Sequence, residues 1–360
     1  MANDTAPTLA IDGGQPLRTE AWPTAPAVVA TADPELARIL EAEFAAGLGL
    51  TPDAVIALAS AADARRIALR MAIAGRHELV LPVLCASPWV DAAQAAGLTV
   101  VAAEVDSDTA ALAARGFSAV ATDDTAAVVA VYPFGHPPLL DTLITVARER
   151  SCMLIEDCSE ALGASYRGTA AGSVGGAAVF ALGARHLLTG GVDAGTDGGA
   201  ILVLRDSALV EQARSEAAAM ADSVAAVALA EWRGREDALW ARRELAWELT
   251  FNLRGMRGVA SMPHGRWIRH AYDRYVFRLR GMLWKRTFEE TLVALRAEGL
   301  PVEAALGASL AAEPSMTDDR TQAASRLPRE MVALPLHAGL TSRDMDQAAA
   351  IVRKVEQWAL

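Results

Sequence analysis

The sequence has few of the features that secreted, membrane-spanning or nucleic-acid-binding proteins share. Its three cysteines, Cys85, Cys152 and Cys158, are an odd number without metal-ligand spacing, so we expect reduced thiols in a cytoplasmic protein and no metal site. No apolar run reaches the roughly 18 residues that cross a bilayer, and no basic segment precedes an apolar core at the start. The 44 acidic residues exceed the 33 basic ones, and the net charge of −11 argues against broad binding to nucleic acid or anionic membranes. We therefore expect small molecules or other proteins as partners.

The residues that are present favour an α/β fold. Hydrophobic residues make up 52% of the 360 positions, which is enough to bury a large core. Short apolar runs such as 153–157, 178–182 and 200–204 alternate with helical patterns. Continuous apolar strands separated by helices are typical of a mostly parallel sheet covered on both faces.

The pattern changes after Arg205, where helical spacing continues without strands. Trp232, Trp240 and Trp247 recur at helical intervals, and we interpret them as a seam that faces the core. From these changes we predict an N-terminal arm over residues 1–30, a large domain over 31–230, and a connecting helix with a small C-terminal α/β domain over 231–360.

Four segments of the chain carry a family resemblance. They are LAIDGGQPLRTEAWPTAP (9–26), IEDCSEALGASYRG (155–168), HAYDRYVFRL (270–279) and LPLHAGLTSRDMD (334–346). Together they resemble the DegT/StrS family of sugar and aminocyclitol aminotransferases, which use pyridoxal phosphate. The resemblance implies the type I aminotransferase fold, with a large, mostly parallel sheet domain and a small C-terminal domain. It also implies a homodimer with the coenzyme at the subunit boundary.

His186 falls where the family carries the lysine that binds the coenzyme. The family pattern F-S-F-x-x-x-K-N-L-T corresponds here to F-A-L-G-A-R-H-L-L-T over residues 180–189. An imidazole has no primary amine and cannot form a Schiff base. No lysine lies between Met1 and Arg280 to replace it. The resemblance therefore implies that standard transamination is excluded and that His186 acts as an acid or base.

Other site residues are carried over from the resemblance one at a time. Asp157 matches the aspartate that keeps the pyridine nitrogen protonated, and Ser60 matches the serine of the phosphate-binding S-G-T, so both are cofactor ligands if the coenzyme binds. Glu160 falls near the ring oxygen of the coenzyme. With His186, Asp157 and Glu160 form the predicted catalytic set.

Several coenzyme contacts of the family have no counterpart here. Ala61 and Ala62 replace the glycine and threonine of the phosphate cradle, and Ala86 falls near the aromatic residue that stacks on the ring. Two or three missing charge-assisted hydrogen bonds, each of about 1.5 to 3 kcal/mol, would weaken coenzyme binding by several powers of ten. We therefore expect no cofactor and regard pyridoxal phosphate or its amine form as disfavoured. The predicted lining of the vacated substrate pocket is Arg185, Cys158 and Ala86.

Three functions follow from this pattern. The first, which we favour, is coenzyme-independent acid–base chemistry in a biosynthetic pathway, on a sugar, an aminocyclitol or a pathway intermediate. The second is a non-catalytic subunit that pairs with an intact aminotransferase in place of a homodimer. The third is dehydration of a sugar with non-covalently bound coenzyme and His186 as base, as in the family's 3-dehydratases. The aspartates Asp193 and Asp197 lie in a glycine-rich loop that we interpret as a turn and not as a metal site.

Overall fold

The computed structural model describes residues 8–31, 33, 35–85, 87–191, 198–263, 265–307 and 322–360. Its helices are α1 (Leu36–Gly47), α2 (Ala61–Ala72), α3 (Ser87–Ala95), α4 (Ala114–Val120), α5 (Leu140–Glu149), α6 (Ser207–Glu216), α7 (Asp222–Arg233), α8 (Arg235–Asn252), α9 (Phe288–Ala297), α10 (Gln322–Arg326) and α11 (Ser342–Ala359). Its strands are β1 (Val55–Leu58), β2 (Glu78–Pro82), β3 (Thr99–Ala103), β4 (Thr125–Val131), β5 (Met153–Asp157), β6 (Ser165–Tyr166), β7 (Thr169–Ala170), β8 (Ala177–Ala181), β9 (Ala200–Leu204), β10 (Val259–Ser261), β11 (Ile268–Arg269), β12 (Arg274–Leu279), β13 (Glu303–Ala304) and β14 (Met331–Pro335). None of these helices is long and apolar enough to span a membrane.

A seven-stranded sheet in the order β1-β9-β8-β5-β4-β2-β3 forms the centre of the larger part of the chain. The strands from β3 to β8 in this order are parallel, whereas β9 runs antiparallel to both β8 and β1. On β1, Val55 and Ala57 join one buried cluster while Ile56 and Leu58 join another, because successive side chains of a strand point to opposite faces. The sheet is thus covered on both faces, and the predicted mostly parallel sheet is confirmed.

The C-terminal part of the chain is built on a smaller antiparallel sheet of β10, β12, β14 and β13. Leu249 of α8, Leu295 of α9 and Ile351 of α11 share its apolar core. Thr341 caps α11, since its side chain accepts from the Asp344 amide while the Asp344 carboxylate accepts from the Thr341 amide. A separate small sheet of β11, β6 and β7 lies against the larger part of the chain.

The N-terminal segment from residue 8 onward is mostly irregular and is held to the C-terminal part of the chain. Arg18 is buried and donates from Nη1 to Asp344 Oδ1 at 2.7 Å. The carboxylate of Glu298 accepts from the amides of Ala10 and Leu17 at 2.8 and 2.9 Å. Two buried ionised groups therefore position this segment.

The predicted tryptophan seam is wrong for two of its three residues. Trp232 of α7 is buried, but Trp240 and Trp247 of α8 are 62% and 72% exposed. The buried face of α8 is formed instead by smaller residues, including Leu239 and Leu249. Helical spacing identifies residues that share a face, but it does not show which face of the helix meets the core.

Candidate functional site

His186 and Asp273 form the centre of the candidate site. His186 follows β8 and Asp273 precedes β12, and the imidazole Nδ1 lies 3.3 Å from Asp273 Oδ1. The backbone amide of His186 donates to the Gly183 carbonyl at 2.8 Å, and that of Asp273 donates to the Phe134 carbonyl at 3.1 Å. A Cβ atom at Gly183 would lie 3.3 Å from Cδ2 of His186, so glycine gives the ring room here. Main-chain hydrogen bonds to two carbonyls of the larger part of the chain therefore position this pair.

The electrostatic surroundings of His186 favour its protonated form. Burial acts to lower its pKa, but the negative charges of Asp273, Glu160 and Asp157 act in the other direction, and the net pKa is raised. The Asp273 carboxylate is almost completely buried. Because this carboxylate engages Nδ1, the Nε2 atom is left for proton exchange with a ligand.

Glu160 forms an ion pair with Arg274, a residue that sequence reasoning did not select. The other carboxylate oxygen of Glu160 accepts from the Phe134 amide at 2.6 Å. Burial raises the pKa of Glu160, although Arg274 beside it acts to lower that pKa. The signal that could have identified Arg274 is its place directly after Asp273, in a segment that carries the family resemblance.

Asp157 ends β5 and has three hydrogen-bond donors from its own chain. Its Oδ1 accepts from the amide and hydroxyl of Ser159 at 3.1 and 2.6 Å, and its Oδ2 accepts from Nε1 of Trp89 at 2.5 Å. A carboxylate has about four acceptor positions. One position on Oδ2 is therefore left for a further N–H donor, and Asp157 fits a pyridine nitrogen in this respect. Trp89 is completely buried and was not predicted as a site residue.

Ser60 lies at the N-terminus of α2, as the resemblance implied. Its hydroxyl accepts from the amides of Ala62 and Asp63 at 3.2 and 3.4 Å. Nearby, Arg65 lies 5.9 Å from the ring of Trp89, and its buried Nε has no hydrogen-bond partner among the described residues. A helix N-terminus with an arginine in its second turn fits the anionic phosphate of a coenzyme. His186, by contrast, cannot supply a covalent link to it.

Of the remaining predicted residues, Arg185 lines the cavity beside His186 and Cys158 does not. Arg185 is exposed and pairs with Glu303 at 2.5 Å. Cys158 is completely buried in an apolar cluster, and burial raises the pKa of its thiol, so it does not line the cavity beside His186. Ala86, Asp193 and Asp197 lie outside the described residues. Among the described residues, no three His, Cys, Asp or Glu side chains are arranged to hold a metal.

A cavity of about 670 Å³ opens beside His186. It lies between the N-terminal segment, the loop after β8, helix α8 and the C-terminal sheet, and Arg242, Asp273 and Arg274 contribute to its lining. Small-molecule sites are typically 300 to 1,000 Å³, so the volume suits a compact ligand. The paired imidazole can exchange a proton with a molecule bound there.

Curated relatives of the chain act on sugars and aminocyclitols. A GDP-perosamine synthase from Caulobacter vibrioides is 28% identical over 305 residues, which cover 79% of this chain and 81% of that protein. An L-glutamine:2-deoxy-scyllo-inosose aminotransferase from Streptomyces fradiae is 30% identical over 244 residues, which cover 59% of this chain and 54% of that protein. The match therefore spans most of the first relative and about half the length of the second.

Solved structures show the same fold. DesI, determined in the presence of its TDP-sugar product, superposes with a TM-score of 0.82 at 22% identity and covers 97% of this chain and 96% of its own. The putative sugar aminotransferase Spr1654 from Streptococcus pneumoniae, in its PLP form, superposes with a TM-score of 0.80 at 16% identity, covering 95% and 100%. The predicted type I aminotransferase fold is confirmed.

The family assignment corrects the expectation of a pocket without cofactor. Residues 30–219, more than half of the chain, match the model of the DegT/DnrJ/EryC1/StrS aminotransferase family. This family and the solved PLP form point to pyridoxal phosphate, so the prediction that no cofactor binds is wrong. That prediction gave too much weight to the missing contacts, although Asp157 keeps an acceptor position and Ser60 lies at the N-terminus of α2. The resemblance seen in the sequence is confirmed, and the chain belongs to the DegT/DnrJ/EryC1/StrS aminotransferase family.

Proposed function

We propose that this chain catalyses an acid–base reaction, a dehydration, on a sugar or aminocyclitol bound in the cavity beside His186. The proposal includes pyridoxal phosphate, or its amine form, held without a covalent link. It is supported by one observation: His186, which the sequence pattern aligns with the family's lysine, is an imidazole paired with the buried carboxylate of Asp273. A side chain in that arrangement can transfer protons, but it cannot form a Schiff base.

Four residues of the chain have separate roles in the proposed reaction. Asp157 would hold the ring nitrogen of the coenzyme, and Ser60 with the first amides of α2 would hold the phosphate. When bound, the coenzyme supplies an electron sink for the carbon that loses a proton. His186 takes that proton on Nε2 while Asp273 stabilises the resulting imidazolium. The hydroxyl on the neighbouring carbon then leaves as water with the proton held on Nε2, so His186 returns to its neutral form and the substrate loses one water molecule in total.

Ligand titration and hydrogen exchange test this proposal together. Adding pyridoxal phosphate to the purified protein should produce a bound-coenzyme band that gel filtration removes, because no covalent link holds it. In D2O, a panel of keto sugars and 2-deoxy-scyllo-inosose should incorporate deuterium next to the carbonyl. His186→Ala should slow this exchange by about 100-fold or more, the usual contribution of a general base. Equal exchange rates in both proteins would place the catalytic base elsewhere.

A second function, that of a partner subunit, is favoured by the surface of α8. Trp240, Trp247 and Phe251 are 62%, 72% and 64% exposed and lie on one side of the helix. Exposed aromatic residues grouped in this way are typical of protein contacts. We propose that this face pairs with a second copy or with an intact aminotransferase. Size-exclusion chromatography of the protein alone and after co-expression tests this, and a monomer in both experiments would contradict it.

A further inference from the structure

Arg242 is a buried cation that has few hydrogen-bond or ion-pair partners among the described residues. It lies on the buried face of α8 and is 7% exposed. Its one hydrogen bond within the described residues is a long contact of 3.5 Å from Nη1 to the Tyr272 carbonyl. No carboxylate among those residues lies within 4.0 Å of it, although Asp273 is close enough to act on its charge. A buried, unpaired guanidinium is costly to the fold.

Arg243, the next residue of α8, makes contacts that are typical of a structural role. Arg243 donates from Nε to the His270 carbonyl at 3.0 Å and from Nη2 to the Gly163 carbonyl at 2.8 Å. It thereby ties α8 to two other segments. Arg242 makes no comparable set of contacts and instead lines the cavity beside His186. Its guanidinium therefore has donors available for a ligand.

The charges around this cavity indicate the charge of the ligand. Among the described residues, four arginines, three carboxylates and the imidazole of His186 line it: Arg185, Arg242, Arg274, Arg296, Glu231, Asp273 and Glu303. Glu303 contacts both Arg185 and Arg274, at 2.5 and 3.5 Å. Arg296 donates from Nε to the Val302 carbonyl. Among these described residues, Arg242 is the buried arginine, and no carboxylate is paired with it.

We propose that Arg242 binds the carboxylate of a monoanionic ligand in this cavity, a sugar acid or a carboxylated cyclitol. A planar guanidinium can bind a carboxylate through two parallel hydrogen bonds. A carboxylate supplies the two coplanar oxygens that such a pair requires and brings a single negative charge. The identification of this ligand as the substrate rests on the proposed function, but its binding can be measured without turnover.

Calorimetric titration with matched probes tests the site. The probes are D-glucuronate, quinate, the neutral amide D-glucuronamide and glucose 1-phosphate. The wild-type protein should bind a carboxylate probe at least about tenfold more tightly than the amide, the effect of one charge-assisted hydrogen bond. Arg242→Gln should weaken that binding by about 10- to 100-fold. Arg254→Gln, which removes the same charge from an exposed position, should leave it unchanged.

Several outcomes would overturn the proposal. The wild-type protein could bind neither glucuronate nor quinate. Arg242→Gln could bind the carboxylate probe as tightly as the wild-type protein does. The wild-type protein could bind glucose 1-phosphate more tightly than glucuronate. If Arg242→Gln does not fold, Arg242→Lys keeps the charge without the planar fork, and it should bind the carboxylate about tenfold more weakly than wild type. His186→Ala separates the two proposals: it should slow the exchange by about 100-fold or more and still bind the carboxylate, so loss of one property does not imply loss of the other.

Discussion

The indole Nε1 of Trp89 donates a hydrogen bond of 2.5 Å to Oδ2 of Asp157, and both side chains are buried. The bond joins α3 to the carboxyl end of β5, at the position where the family resemblance places the ring nitrogen of the coenzyme. Together with Ser159, Trp89 orients the Asp157 carboxylate, because each contact donates a hydrogen bond to it.

Replacing Trp89 tests this relationship. Trp89→Phe removes the N–H donor and leaves one acceptor of a buried carboxylate unsatisfied, so we expect a loss of about 1–3 kcal/mol in the free energy of unfolding. Urea denaturation measures it. Trp240→Phe is the matched control, since Trp240 is exposed, and its effect should stay within about 0.5 kcal/mol. Equal effects of the two substitutions would show that the indole hydrogen bond contributes nothing measurable.

A lysine introduced at position 186 tests the interpretation of this position. We expect His186→Lys to retain pyridoxal phosphate after borohydride reduction and denaturation, because the new side chain supplies a primary amine. Intact-protein mass spectrometry detects the added mass. The wild-type protein and His186→Gln should show none. A reduced adduct on the wild-type protein would mean that Lys285 or Lys354 captures the coenzyme.

The pH dependence of stability should follow the His186–Asp273 pair. The folded-state pKa of His186 is raised above its ordinary value of 6.5, so its protonation stabilises the folded protein. This contribution is complete below about pH 6.5 and is lost as the pH rises through the folded-state pKa. Asp273→Asn should lower the pKa of His186, as measured by NMR titration, and remove that pH dependence. Glu303→Gln is the control, because Glu303 does not contact His186, and an identical shift in both variants would contradict a direct effect of Asp273.

A stability prediction concerns Glu156, which is completely buried next to Asp157. Its carboxylate accepts from Gly172, Val174 and Gly175 amides at 2.9, 2.8 and 2.7 Å, and also from the Tyr132 hydroxyl. Glu156→Gln turns one acceptor into a donor that faces these N–H groups, so we expect a loss of about 3 kcal/mol. Thermal and urea unfolding measure it. Glu289→Gln, at an exposed position of α9, should change stability by less than about 0.5 kcal/mol.

Local sequence was sufficient for much of the fold. The apolar runs that became β5 and β9 were identified with the bounds that the structure has, and Thr341 with Asp344 identified the start of α11. Such predictions succeed because a strand's apolar run and a helix's cap are properties of a few consecutive residues. The tryptophan seam failed because the spacing within a helix carries no information about what packs on each side.

By itself, the sequence determined the family, the α/β architecture and the imidazole at position 186, since these depend on residue identity and order. Only the tertiary structure decided what surrounds that imidazole. Asp273 lies 87 residues from His186 along the chain, and Trp89 lies 68 residues from Asp157. Arg242 comes from yet another element, α8. Contacts between such distant segments arise when the sheets and helices pack into one core, because packing, and not local spacing, brings their side chains within hydrogen-bond distance.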